Sequence, residues 1–308
     1  MKENNNSTCL GSIKSILDKN IMVISSIFFS GAFIAGKFSI MEFPVFSLTF
    51  FRFLIASVIL FLIMHFRGEN LKISKSEIPH VIVLSLLGMV GYHLFFFTAL
   101  KYTSSVNTSL IAASNPIMTT VLASIFLKER VSLKAAFGIV ISFIGVAVIV
   151  TNGSYEVLKN MNFNIGDLYM LIAVLSFSCY FILLKNVLSR IPPMKLTAYV
   201  FLFCVLILLP AVIIENPASY MGSVTIKGWG SLLYMATFAS VIAYMLQQVS
   251  VKRIGPSKTS LYINLIPLFS MVMAYFILGE KITIQKILAA AMIISGVIIT
   301  LKSKNISK

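Results

Sequence analysis

Ten stretches of nearly continuous apolar sequence decide what this chain can become: residues 21–40, 44–66, 80–98, 106–127, 133–150, 165–184, 196–214, 229–251, 259–278 and 284–301. Each has the length, about 20 residues, that a helix needs to cross the hydrocarbon of a bilayer. Lipid offers no partner to an unpaired backbone group, so such segments must be helices or the strands of a closed barrel. Barrel strands alternate in character over about ten residues; these runs are continuous and too long. The expected fold is therefore all-α, a polytopic membrane protein of ten transmembrane helices. Composition agrees. Only 11% of residues are charged, against about a quarter in a soluble domain, and a mean hydropathy of +0.95 excludes disorder. Cys9, Cys179 and Cys204 form no CxxC pair and imply no disulfide framework.

Lys2, Lys14 and Lys19 precede the first run, as they would in a leader. The run is too long for a leader and no small-x-small site closes it, so it is read as the first membrane helix. Leu10, Ile13 and Leu17 share one helical side ahead of it, which allows either a short interfacial helix or a frayed terminus. With the N-terminus inside, 17 lysines and arginines fall on the inner side, 5 on the outer side and 3 (Lys37, Arg52 and Lys258) within the runs. That bias places both termini in the cytoplasm of a cell-membrane protein. It also accounts for the net charge of +15 as an orientation signal, with no nucleic-acid partner implied. The bilayer and a small-molecule substrate are the expected partners, and a homodimer is compatible with such a chain.

The chain repeats itself. A shift of 151 residues lays Pro116 on Pro267, Glu129 on Glu280 and Gly145-Val146 on Gly296-Val297, with 7 identities between residues 115 and 150. Upstream, a shift of 148 aligns Phe29-Ser30 and Lys37 with Phe177-Ser178 and Lys185. Each half then holds five spans. Five is odd, so the second half enters the membrane from the opposite side, giving two inverted five-helix repeats, a recurring transporter plan.

Each half carries a proline-bearing helix that ends in a glutamate: NPIMTTVLASIFLKERVS in the first and IPLFSMVMAYFILGEKIT in the second. With FFRFLIASVILFLI in the second span, this pattern resembles the EamA family of the drug/metabolite transporter superfamily. The resemblance covers about residues 20 to 301; the first copy departs in having Lys128-Glu129 where the second has Gly279-Glu280. It implies a cytoplasmic N-terminal segment at 1–20, one EamA-like repeat at 21–151, a second at 165–301 and a cytoplasmic tail at 302–308. It further implies movement, chiefly export, of amino acids and other small metabolites by alternating access.

Polar residues inside the runs are the candidate site. Arg52 lies about a third of the way into the second span. It is either a contact for a substrate carboxylate or phosphate, or a structural arginine that snorkels or bonds carbonyls. Lys37 and Lys258, nearer span ends, read as anchors. His93 is near the middle of the third span, where a titratable group suggests a role with substrate or proton; packing between helices is the alternative. The repeat places Tyr244 opposite it. Pro116 and Pro267 form a matched pair that withdraws the amides otherwise bonded to the Ala112 and Ile263 carbonyls, as gating hinges or as ordinary membrane prolines. Asn115 and Asn264 beside them can offer amides to substrate or to neighbouring helices. Gln247 and Gln248 are weaker candidates. The aromatic groups Phe28, Phe29 and Phe33, with Phe95 to Phe97, either wall a site or simply pack. Glu129 and Glu280 are read as structural, each capping the helix that follows it.

All ten acids fall in termini, loops or helix ends. No buried carboxylate is therefore expected, which argues against proton exchange in the manner of small multidrug exporters. No metal site, cofactor site, phosphate loop or catalytic cluster is visible, so no enzyme is expected. The reading is a metabolite exporter. Two alternatives stay open: a carrier of anionic or phosphorylated metabolites that uses Arg52, Lys37 and Lys258, and, third, a membrane-embedded enzyme.

Overall fold

In the computed structural model, the described residues are 4–126, 132–151, 153–154, 163–188, 190–254, 262 and 265–304. Among them there is helix and no strand. In chain order the α-helices are α1 (Asn4–Ser39), α2 (Val45–Phe66), α3 (Ile78–Leu84), α4 (Tyr92–Tyr102), α5 (Ser105–Ala112), α6 (Asn115–Phe126), α7 (Leu133–Thr151), α8 (Ile165–Val187), α9 (Pro193–Glu215), α10 (Ile226–Tyr234), α11 (Tyr244–Ile254), α12 (Ile266–Met273) and α13 (Ile284–Lys304). Six segments of the described residues are long and apolar enough to cross a membrane: Ile21–Ser39, Val45–Phe66, Ile78–Tyr102, Ile165–Leu184, Pro193–Glu215 and Ile226–Gln247. Shorter apolar helices accompany them at Leu133–Ile149, Ile266–Leu278 and Ile284–Thr300.

Two of the long segments are not uniform helices. A π-helical stretch at Ser85–Gly91 joins α3 to α4, and another at Met235–Ala243 joins α10 to α11. They end directly before His93's neighbour Tyr92 and before Tyr244. Single π turns widen a helix locally and recur at functional sites.

The run at 106–127 is broken rather than kinked. α5 ends at Ala112, a turn occupies Ala113-Ser114, and α6 restarts at Asn115 with Pro116 in its first turn. Pro267 likewise stands in the first turn of α12. A proline in a helix interior clashes with the preceding turn, but at a helix start its missing amide would be unpaired in any case. The residues just before the two prolines are braced the same way. Ser178 of α8 donates to the Asn115 carbonyl at 3.4 Å, and Ser30 of α1 donates to the Ile266 carbonyl at 3.0 Å. In each case the first helix of one half grips the residue just before the proline of the other half.

A seam of small residues joins α7 to α13. A side chain on Gly138 would strike the Gly296 carbonyl, and one on Gly145 would strike Ile293 and the Ala289 carbonyl. Backbones approach this closely in membranes where glycine and serine line the contact. Ser142 adds a hydrogen bond to the Ile293 carbonyl at 3.0 Å.

The turns at residues 40–44, 103–104 and 216–225 lie at one end of the bundle, and acids tie that end together. Glu215 accepts from the Ser47 amide at 2.8 Å, at the start of α2. Glu42 accepts from the Thr225 amide at 2.6 Å and its hydroxyl at 2.8 Å, at the start of α10. Glu280 accepts from the Ser105 and Val106 amides at 2.9 and 3.2 Å. It does cap a helix, but the helix is α5 in the other half rather than the one that follows, because the α12 end packs beside the α5 start. Glu129 lies outside the described residues.

Candidate functional site

A cavity of about 260 Å³ lies within the bundle. Arg52, His93, Asn115, Pro116, Tyr244 and Pro267 all line it, so six of the expected site residues meet at one place. Asn264 and Lys258 lie outside the described residues. Gln247 also lines the cavity, as do Phe29, Phe33 and Phe96, whereas Phe28, Phe95 and Phe97 are not on its wall. Lys37 is elsewhere: its ammonium donates to the Leu100 and Thr103 carbonyls at 2.5 and 2.6 Å, closing the C-terminal end of α4.

Arg52 is 3% exposed. Its Nε donates to Ser240 Oγ at 2.9 Å, and its guanidinium carbon stands 5.3 Å from the Phe53 ring and 5.9 Å from the Phe97 ring. Those contacts fix its direction and give partial cation–π compensation. Among the described residues no carboxylate pairs with it. A guanidinium taken from water without a counter-charge costs several kcal/mol, so the position is a standing demand for an anionic group.

His93 is 2% exposed and is the second residue after the π stretch. Its Nδ1 lies 3.0 Å from the Met89 carbonyl. A carbonyl only accepts, so Nδ1 carries hydrogen, and the neutral ring keeps Nε2 as an acceptor. The ring stands edge-on to Phe53 and Tyr92, with centroids 4.7 and 4.8 Å away. Tyr244 is held edge-on by Phe29 at 5.2 Å and Phe201 at 5.8 Å. The wall thus combines one cation, an imidazole and phenols with stiff aromatic surface. That mixture suits a small molecule with one anionic group and a partly apolar body.

Sequence reasoning missed Ser240, Tyr92, Ser109, Thr119, Thr120, Phe177 and Phe181, all of which touch Arg52 or line the cavity. Tyr92 and the threonines had a usable signal, being polar side chains beside His93 and Pro116 in apolar runs. Ser240 had none: its partner is 188 residues away.

The expectation of no buried carboxylate is corrected at Asp167. It is 0% exposed although it occupies the first turn of α8. Helix ends are ordinarily wet, but here α4 and α5 cover the start of α8; Thr103 donates its hydroxyl to Asp167 at 2.7 Å. Among the described residues, no group of three or more metal-ligating side chains is present.

A profile of the EamA-like transporter family matches residues 20–151 and again 164–302. An uncharacterized transporter of Bacillus subtilis, YyaM, is 32% identical over 90% of this chain and 92% of its own length. An uncharacterized transporter of Archaeoglobus fulgidus is 27% identical over 91% of this chain and 96% of its own. A protein of known crystal structure, 19% identical, superposes with a TM-score of 0.65 over 93% of this chain and 98% of that one; that likeness concerns the fold alone.

Proposed function

This chain belongs to the EamA-like transporter family of membrane transporters, and we propose that it is a secondary carrier, working as an exporter, for small metabolites that bear one carboxylate, amino acids first among them. Its helices make ten crossings, with α3–α4, α5–α6 and α10–α11 each counting once. The two halves are inverted and rock about the cavity, the prolines at the helix breaks serving as hinges. The acid-tied end faces outward and both termini face the cytoplasm, as the distribution of basic residues suggests.

The observation that carries this reading is Arg52: buried, aimed by Ser240, and without a carboxylate partner among the described residues. A substrate carboxylate completes it. His93 Nε2 can accept from a substrate ammonium, and Tyr244 and Asn115 supply further polar contacts. Phosphorylated substrates are the weaker reading, because Lys37, one of the cations they require, is spent on backbone carbonyls away from the cavity. A phosphate monoester carries nearly two charges near neutral pH, and one guanidinium balances one.

Counterflow in liposomes tests this. Vesicles loaded with unlabelled L-amino acids should accumulate radiolabelled ones transiently and saturably. Exchange confined to sugar phosphates would replace the reading with the phosphorylated-metabolite carrier, and chemical conversion without exchange would point to an enzyme.

A further inference from the structure

Asp167 stands apart from the other acids of the tied end. Glu42, Glu215 and Glu280 each accept from backbone amides at helix starts. Asp167, in α8, is held by side chains of the first half: the Thr103 hydroxyl at 2.7 Å and the Asn107 amide nitrogen at 3.3 and 3.4 Å. The amide contacts are long. Asn107 is 7% exposed, and its Oδ1 is buried without a hydrogen-bond partner.

An unsatisfied buried amide oxygen is costly. The amide can turn over in the same space, since nitrogen and oxygen have nearly the same shape. Oδ1 would then face the Asp167 oxygens across the same short gap. That contact repels a carboxylate and attracts a carboxylic acid, whose O–H donates to Oδ1 while Thr103 keeps its bond to the other oxygen. Asn107 therefore offers a matched partner to each protonation state. Such a two-way partner is what a proton-binding site requires and what a static cap does not.

The surroundings are defined. Thr103 faces Asp167 from α4 and Asn107 from α5, and the Lys286 ammonium of α13 acts on it from further off. Lys37 of α1 lies beyond Thr103, bound to that residue's carbonyl. α6 carries no titratable side chain, and His80, at the start of α3, is at the opposite end of α8 beside Leu183 and Arg190. Asn164, three residues earlier in the chain, is exposed.

We propose that Asp167, with Asn107 and Thr103, is a proton-binding site that couples transport to the proton gradient. This rests on the carrier reading above and adds its driving ion. A proton from hydronium adds to one Asp167 oxygen, and the new O–H donates a hydrogen bond to Asn107 Oδ1; its release to water restores the carboxylate. Because the site ties α8 to α4 and α5, the change of partner alters a link between the halves.

Two measurements on the full chain test it. The first is in liposomes with radiolabelled L-amino acids. A gradient of about one pH unit holds a roughly tenfold substrate gradient through one coupled proton. The wild type should show both counterflow at equal pH and accumulation driven by the pH gradient; Asp167→Asn should keep counterflow and lose the driven accumulation, and Asp167→Glu should regain it. Counterflow without any effect of the pH gradient in the wild type would overturn the proton site alone, whereas absence of counterflow would strike the carrier reading. Driven accumulation that persists in Asp167→Asn would also overturn the proposal. The second measurement needs no substrate and no variant transport: infrared titration of the purified protein should reveal a protonated-carboxyl band that Asp167→Asn lacks. Should that variant fail to fold, isotope-shifted spectra of Asn107→Asp or Asn107→Leu serve, since the band must move when its acceptor changes; an unmoved band contradicts the assignment.

Discussion

The tied end of the bundle and the central cavity both hold charge, and they treat it in opposite ways. At the tied end each glutamate meets protein donors at helix starts: Glu280 holds two α5 amides, and Glu215 holds the Ser47 amide of α2. Their charge is balanced by backbone dipoles and serves to fasten segments distant in sequence. In the cavity Arg52 receives one hydroxyl and two aromatic rings, and no carboxylate among the described residues. Under the proposed function, the charge left incomplete is the one that substrate completes. Asp167 lies between these cases, at the tied end but with an imperfect set of partners.

Substitutions can break this contrast. The largest effect is expected from Arg52→Gln. Losing one partner of a buried charge pair costs about 2–5 kcal/mol, so counterflow should fall by about 30-fold or more while yield and dispersity in detergent stay close to wild type. Next, His93→Ala should lower counterflow by about tenfold, the scale of one charge-assisted hydrogen bond, again with intact expression; unchanged kinetics would remove His93 from the site. Glu280→Gln should act on stability instead. A lost cap costs about 1 kcal/mol, visible as earlier thermal unfolding in detergent, with counterflow per folded molecule preserved. Smallest is Ser240→Ala, where a neutral hydrogen bond worth about 0.5–1.5 kcal/mol is lost. Arg52 then loses its aim, and the half-saturating amino-acid concentration should rise a few-fold with little change in maximal rate.

Much of this contrast could be read from the sequence, and the reason is the solvent. In hydrocarbon a polar side chain must have a cause, so Arg52, His93, Asn115 and Tyr244 stood out within apolar runs, and the cavity gathers all four. The long helices were equally plain, since continuous apolar stretches of that length have few alternatives. What stayed hidden depends on which helices become neighbours. Glu280 was legible as a cap but not as the cap of α5. Asp167 read as a wet helix end because nothing local says that α4 and α5 will cover it. Ser240 looked like any small residue of a membrane helix, and its importance comes only from the arginine that reaches it. The π stretches before Tyr92 and Tyr244 left no mark that periodicity detects, because one inserted residue in a uniformly apolar helix changes no pattern.

The central claim, that Arg52 waits for a substrate carboxylate, is tested most directly by competition. Counterflow of a radiolabelled L-amino acid should be inhibited by the unlabelled amino acid and hardly at all by its neutral C-terminal amide. In Arg52→Gln the residual counterflow should lose that preference, the two competitors becoming nearly equal. If Arg52→Gln still rejects the amide as strongly as the wild type does, the carboxylate is read elsewhere and the account is wrong.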